Sequence, residues 1–498
     1  MDMVKHRWLV LAVVSIALLL VAIDMTVLYI TLPTLTHELK ASTNEKLWIV
    51  NMYPLIVAGL LLGAGTLGDK IGHQRLFISG LLIFGTASLL AAFSPTAAVL
   101  IFARGLLGIG AAAMMPATLA IISLSFKDEK ERSIAIGIWA AVASGGAAAG
   151  PLLGGALLEY FWWGSVFLIN VPIVLVACLL SKWLIKNVPN DSAQPWDFVA
   201  SLQIMVVLIS FAYMIKEFAK PQPSYLAAAM ALVICICFSM LFSRRQRASA
   251  YPLIDMQVFR TPAFFSAVLS GIVVAGCLMG INLVLSQRLQ LVLGFTPLQT
   301  GLYFLPLSLG AVVGSPLSGW ILPRFRSGQF LAATLTLYAI GIAFFMFSFS
   351  FSLYFQLSCL FLLGACVGAG MTAASNTIMA AAPPERAGMA ASIEEISYEL
   401  GGGLGIAIMG SLMTVIYSRT LVVPAETTRP ALAKDGIDSA ILLAEQMHGS
   451  ASQALITNAR LAFENSVFSV MIAAIVLLLL TALLVRFNCR SHDPDVEL

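Results

Sequence analysis

Charge is what this sequence has least of. Lysine, arginine, aspartate and glutamate make up 11% of the 498 residues, against about 25% in an average soluble domain. So few charges cannot clothe a soluble surface of this size. Histidine is rarer: His6, His37, His73, His448 and His492 all fall outside the long apolar runs, in expected loops or tails. A histidine relay inside a membrane is thereby excluded, and carboxylates must carry any proton traffic. Six of the seven cysteines (178, 235, 237, 277, 359 and 366) sit in apolar runs, and Cys489 sits in the C-terminal tail. Cys235 and Cys237 point to different faces of one helix, so neither a disulfide framework nor zinc spacing exists. No metal or organic cofactor is expected. Net charge is only +3 and no basic tract stands out, which excludes a nucleic-acid partner. Nucleophiles, metal ligands and histidines do not cluster, so an enzyme is not expected.

What is present is apolar: 59% of the residues are hydrophobic. Runs long enough for a hydrocarbon core of roughly 30 Å lie near 8–33, 47–68, 76–94, 97–122, 133–157, 162–185, 197–216, 224–243, 262–286, 299–322, 329–348, 352–375, 388–417 and 466–486. The expectation is an all-α integral membrane protein of fourteen transmembrane helices embedded in a lipid bilayer. The first run follows Lys5 and Arg7 but lacks a small-residue cleavage site, so it reads as a retained helix. Basic residues concentrate in DKIGHQR, KDEKER, the Lys182/Lys186 pair, RRQR and PRFR, which by the positive-inside rule puts both termini in the cytoplasm. The long segment 418–465 then faces outward. Asp438 is expected to cap a helix over 439–447, and 450–464 reads as a second one.

Several runs carry polar residues that a bilayer tolerates only for a reason. Asp24 is the sole charge between Trp8 and Pro33; an ionised aspartate there costs roughly 2.5–3.5 kcal/mol and usually marks an ion or substrate path. Arg104 lies inside ARGLLGIGAAAMMPA and must be paired. In SIEEISYELGGG, Glu395 and Glu399 are four residues apart and share a helix face, with Glu394 on a neighbouring face. Acids this close in a low-dielectric site cannot all ionise, and their titration belongs to the cluster. Pairing of Glu394 with Arg386 at the membrane edge is the alternative. SGGAAAGPLLGG is a small-residue stripe ending in Gly150-Pro151, expected to pack tightly and bend.

Between the second and third runs stands GTLGDKIGHQR. Gly65 and Gly68 permit close helix approach, Asp69 ends a span, Gly72 allows a tight turn, and Arg75 is placed to pair with a carboxylate. GSPLSGWILPRFRSG (314–328) echoes it eight spans later, keeping Gly314, Gly319, Arg324 and Arg326 without the acid. Repeats of this kind build transporters. They divide the chain into a six-helix bundle (1–186), two inserted helices (187–243) and a second six-helix bundle (244–498) that includes the outer loop.

Carboxylates beside aromatic rings suit small lipophilic cations. Candidate lining residues are Trp48, Tyr53, Trp139, Tyr303 and Tyr398, with Met114 and Met115 as adaptable surface. No buried basic cluster offers to hold an anion.

Taken together, LVAIDMTVLYITLP, GTLGDKIGHQRLF, ARGLLGIGAAAMMPA and GGAAAGPLLGG resemble the signature segments of the major facilitator superfamily. Their order, with LLEYFWWGSVFLINVPI and AAAPPERAGMAASIEEISYELGGGLGIAIMG, is similar to its fourteen-helix drug:proton antiporter branch, including exporters of methyl viologen and quaternary ammonium compounds. The resemblance spans essentially the whole chain. It implies the two-bundle major facilitator fold in a bacterial cytoplasmic membrane, with proton-coupled efflux of cationic drugs, biocides and dyes, biguanides included. It also implies roles: Asp24, Glu394, Glu395 and Glu399 in proton or cation binding, Arg104 in coupling, Gly65, Asp69, Gly72 and Arg75 in the inward–outward switch, and Gly150 and Pro151 as an antiporter mark. The proton is the coupling ion, and a monomer is expected. Many relatives carry W-x-x-D in the second helix; here WIVNMY places Asn51 there, leaving an uncharged substrate-lining candidate. The rival reading is a proton-coupled symporter or facilitator of a small nutrient.

Overall fold

The structure is a computed structural model describing residues 6–41, 43–186, 197–218, 224–249, 252, 254, 256–424, 427, 429–447 and 450–490. It is all helical. The main helices are α1 (Arg7–Glu38), α2 (Thr43–Ile71), α3 (His73–Ala92), α4 (Ala97–Ser125), α5 (Glu129–Tyr160) and α6 (Ser165–Leu184, interrupted at Ile169). Then come α7 (Phe198–Phe218), α8 (Tyr225–Ala248), α9 (Pro262–Gln287), α10 (Pro297–Ile321), α11 (Ser327–Ser348), α12 (Leu353–Ala381), α13 (Ala387–Thr420) and α14 (Ser450–Arg490). Each expected apolar run carries one of them. Among the described residues, twelve helices are long and apolar enough to cross a membrane, and Phe198–Met214 is a shorter apolar stretch. α5 has spanning length at 32 residues, but its Gly/Ala/Ser stripe and charged first turns dilute its apolarity.

Local signals set the boundaries. Thr96 Oγ1 accepts the Val99 N–H, and Asp128 Oδ1 accepts the Glu131 N–H, capping α4 and α5. Thr296 and Gln299 form a reciprocal capping box at α10; such caps satisfy amides that a helix start leaves unpaired. The α2–α3 turn runs through Gly72 at φ 96°, a conformation that glycine adopts without a Cβ penalty. Asp197 accepts the Ala200 N–H at the start of α7 and is 2.7 Å from Arg245 of α8. The guanidinium holds the Asp197 carboxyl below the usual carboxylate range.

Small residues decide which helices touch. Gly146 and Gly150 of α5 lie against Leu19, Ala22, Ile23 and Thr26 of α1. Gly401 and Gly405 of α13 lie against the backbone of Ile272 and Gly276 on α9. In lipid, such close backbone approach and its dispersion gain replace the hydrophobic drive. The two sets of six helices, α1–α6 and α9–α14, meet along α2–α13 and α5–α10. α7 and α8 pair with each other, and α7 also rests on α2 and α13.

Two expectations for the segment 418–465 need correction. Residues 450–464 do not form a separate helix; they are the beginning of α14, which runs unbroken for 41 residues. At 1.5 Å per residue that is about 60 Å, twice the hydrocarbon thickness, so α14 projects well beyond one face. The preceding helix begins at Ile437, with Gly436 at its N-cap position and Asp438 inside it. It packs on the projecting end, and Pro430–Asp435 packs on it and on α13: Ile437, Ala440, Leu443, Leu455 and Ala459 are buried. Tyr417 donates to the Ala433 carbonyl at 3.2 Å and Asn458 to that of Val422 at 2.8 Å. The segment is a folded cap with its own core.

Candidate functional site

Asp24 and Arg104 meet in the interior. Arg104 Nη1 donates to Asp24 Oδ2 at 2.6 Å, and both residues are 1% exposed. Arg104 Nε also donates to the Ile49 carbonyl at 3.3 Å, and the guanidinium lies 4.6 Å from the centre of the Tyr53 ring. Two directional bonds and a ring face satisfy a planar fork in a way that a lysine ammonium cannot. Gly108, one turn along α4, makes this approach of α2 possible; a Cβ there would stand 2.9 Å from the Tyr53 carbonyl and 3.0 Å from Ile56. Gly150 packs on Thr26 and Ile23, seating α5 beside Asp24. Asp24 Oδ1 and the Tyr53 hydroxyl make no hydrogen bond in the structure.

The acids of α13 face this pair. Tyr53 of α2 lies within electrostatic reach of Asp24, Arg104, Glu395 and Glu399. Glu395 feels Glu394 and Glu399 as neighbouring charges. Glu394 is wholly buried, and neither of its carboxyl oxygens has a hydrogen-bond partner. Ser375 of α12 and Tyr398 are its polar neighbours, but the Tyr398 hydroxyl donates to the Met371 carbonyl at 3.2 Å instead. A carboxyl so placed costs far less to bury neutral than ionised. The alternative, a pairing of Glu394 with Arg386, is not found: Arg386 donates to the Pro252 carbonyl, and neither Glu394 carboxyl oxygen has a hydrogen-bond partner.

A second constellation lies at the far end of α2. Asp69 Oδ1 accepts the Gly388 N–H at 2.8 Å, and Asp69 Oδ2 accepts that of Met389 at 3.1 Å. The carboxylate therefore sits on the first turn of α13, where unpaired amides and the helix dipole favour an anion. α13 starts after Arg386, whose side chain makes no cap hydrogen bond, so its cap is supplied from another helix. Gly65 presses against Ser392 Oγ and the Gly388 carbonyl, and Ser392 Oγ donates to the Leu61 carbonyl at 2.8 Å. The echo motif does the same on the other diagonal: Gly319 of α10 lies against the Ser133 backbone of α5, and Gly137 against Ser315 and Pro316. No acid is needed there, since α5 has its own Asp128 cap. At this end the two sets of six helices are locked together.

Two expectations about this latch change. Among the described residues Arg75 makes no ion pair and its side chain is exposed. His73, expected in a loop, is instead the first residue of α3; it is 6% exposed and its Nε2 is 3.2 Å from Asp69 Oδ1. Gly388, Ser392, His73 and the Ile49 carbonyl are contributors that motif reading missed. One signal was available: a helix opening on PPERAG without a Ser, Thr, Asp or Asn cap needs a partner from elsewhere.

The aromatic candidates scatter. Tyr53 and Tyr398 join the acidic centre. Trp139 is buried and donates to Thr118 Oγ1 at 3.0 Å, tying α5 to α4. Tyr303 donates to Gln356 at 2.8 Å and packs edge-on with Phe295 and Phe304, away from the acids. Trp48 is 37% exposed near the start of α2. The side chains of Asn51 and Pro151 lie outside the described residues. α5 continues as helix through Gly150 and Pro151.

Comparison with known proteins gives a consistent result. Residues 14–406 match the Major Facilitator Superfamily. The methyl viologen resistance protein SmvA of Salmonella typhimurium is 39% identical over 465 residues, covering 92% of this chain and 93% of its own. The multidrug efflux pump LfrA of Mycolicibacterium smegmatis is 36% identical over 492 residues, 97% of each chain. Among solved structures, the human organic anion transporter MFSD10 (TETRAN) superposes with a TM-score of 0.58 at 14% identity, over 95% of this chain and 99% of its own. The likeness at that identity concerns the fold alone.

Proposed function

The chain belongs to the Major Facilitator Superfamily, and from that premise we propose that it exports lipophilic cations in exchange for protons by alternating access. It is a multi-pass membrane transporter, not an enzyme, and its relatives include a methyl viologen resistance protein and a multidrug efflux pump. The observation that carries the finer reading is the buried Asp24–Arg104 pair, set beneath Tyr53 and within its reach of Glu395 and Glu399. We read the fold as fourteen spans in a bacterial inner membrane with both termini cytoplasmic, and the Asp69 end as the cytoplasmic end, closed in this structure.

In this scheme each carboxyl holds a proton or faces a cation, never both. With the cytoplasmic end open, deprotonated acids attract a lipophilic cation, and aromatic faces such as Tyr398 add cation–π attraction. Protons arriving from outside neutralise the acids and release the drug. Arg104 then compensates whichever charge remains on Asp24. Glu394, wholly buried with neither oxygen hydrogen-bonded, carries its proton in the closed state. The return step moves protons inward, gaining roughly 2.3 kcal/mol per charge per 100 mV and about 1.4 kcal/mol per pH unit. α2 transmits the change. It touches Arg104 at Ile49 and Tyr53 and the start of α13 at Asp69, about 24 Å along the helix from Tyr53. Gly65, Gly72, Arg75, Gly150 and Pro151 complete the switch, letting the halves separate and close.

Inside-out vesicles energised by respiration test this. Uptake of a cationic dye or methyl viologen, abolished by a protonophore and accompanied by proton release from the lumen, is the expected result. Substrate and proton moving in the same direction would make the protein a symporter.

A further inference from the structure

A groove of about 1120 Å³ lies away from the acidic centre, between the first turns of α9 and α11 and the last turns of α14. Its inner stretch is apolar. Ala332, Ala333 and Ala482 leave the room, and exposed Leu337, Leu479 and Leu483 flank it. Its outer end is basic: Arg326 and Arg486 are both exposed lining residues, and no acidic residue lines it among the described ones. The starts of α9 and α11 point at the same end, and neither Thr261 nor Arg326 caps its helix by a side-chain hydrogen bond. Their unpaired amides add partial positive charge to the two guanidiniums.

This chemistry rejects the cations assigned to the transport route, because two arginines repel them. A free anion would use the basic end and leave the leucine-lined trough empty. One class of molecule fits both parts. We propose that the groove seats an anionic glycerophospholipid of the cytoplasmic leaflet, its phosphate against Arg326 and Arg486 and one acyl chain along Leu337, Leu479 and Leu483. The proposal rests on the membrane orientation given above, under which these helix ends lie at the inner leaflet. Basic pockets between helices at that depth suit such headgroups. The lipid would clamp α11 to α14, and α9, which joins them in the groove, packs on α13, the helix that bears Glu394.

Native mass spectrometry of the full-length protein in detergent, titrated with phosphatidylglycerol or phosphatidylcholine, reads the site without any transport step. The wild type is expected to retain phosphatidylglycerol at least tenfold more than phosphatidylcholine. Arg326→Gln/Arg486→Gln should erase that preference, and Ala333→Trp, which fills the trough but keeps both arginines, should expel the lipid. Arg247→Gln, on exposed α8, should change nothing, and unchanged melting of each variant shows that the fold survives. Equal preference in the double arginine variant and the wild type would overturn the proposal. So would displacement of the lipid by millimolar inorganic phosphate, which would make the site a simple anion site.

Discussion

Asp69 of α2 accepts the Gly388 N–H of α13 at 2.8 Å, across 319 residues of sequence. A side chain of α2 thus caps α13, and in the proposed alternating-access cycle this bond is made in the closed state and broken on opening. Asp69→Asn keeps the shape and loses the charge. A cap or dipole interaction of this kind contributes about 1–2 kcal/mol, so the closed-to-open ratio should fall by roughly five- to thirtyfold. Spin labels at exposed Lys70 and Arg324, read by pulsed dipolar spectroscopy, should show the longer distance gaining weight. His73→Ala removes only the 3.2 Å partner of Asp69 and should give the smaller shift.

Removal of one member of the Asp24–Arg104 pair strands the other in the membrane. Breaking a buried ion pair from one side costs about 3–5 kcal/mol. Arg104→Ala and Asp24→Ala should each lower the melting temperature sharply, and the double variant should lose less than their sum. Additive losses in that cycle would mean that the pair is not coupled. Arg104→Lys should behave like a loss, since lysine cannot reach Asp24 and the Ile49 carbonyl together while lying on the Tyr53 ring.

Gly65→Ala tests the close approach. A methyl at this position meets Ser392 Oγ and the Gly388 carbonyl, so the closed end cannot form and transport should stop while helix content stays. Gly155→Ala is the matched control, with nothing within 4 Å of the added carbon; its stability should stay within about 0.5 kcal/mol of wild type.

Glu394→Gln replaces one neutral buried group by another of the same shape. Stability should move by no more than about 1–2 kcal/mol, while the number of protons moved per drug falls. A large loss of stability with an unchanged proton count would show that Glu394 is structural.

Intramembrane charges made much of the site legible beforehand. Asp24, Arg104 and the α13 glutamates stand out because lipid penalises them whatever the fold, and small-residue stripes announce close packing by their shape. What sequence could not show were partners supplied by backbone. The Gly388 and Met389 amides and the Ile49 carbonyl carry no identity that a motif can encode. Arg75 looked like the ion-pair partner by charge, yet it points outward and buried His73 takes that place. Residues 450–465, SASQALITNARLAFEN, are too polar to belong to an apolar span and so read as a separate helix; in the fold they are the first turns of α14 and bury Leu455 and Ala459 against the 430–447 cap. Trp139 and Tyr303 are lining candidates by residue type alone; the structure adds their hydrogen bonds to Thr118 and Gln356, which no motif encodes.

The central claim is that buried carboxylates exchange protons for drug, with Asp24 among them. Purified protein in liposomes containing a pH-sensitive dye, given an outward drug gradient, measures both fluxes at once. The wild type should move protons opposite to methyl viologen, and Asp24→Asn should still exchange labelled for unlabelled drug yet move no protons against it. Full drug-coupled proton flux in Asp24→Asn would contradict the account.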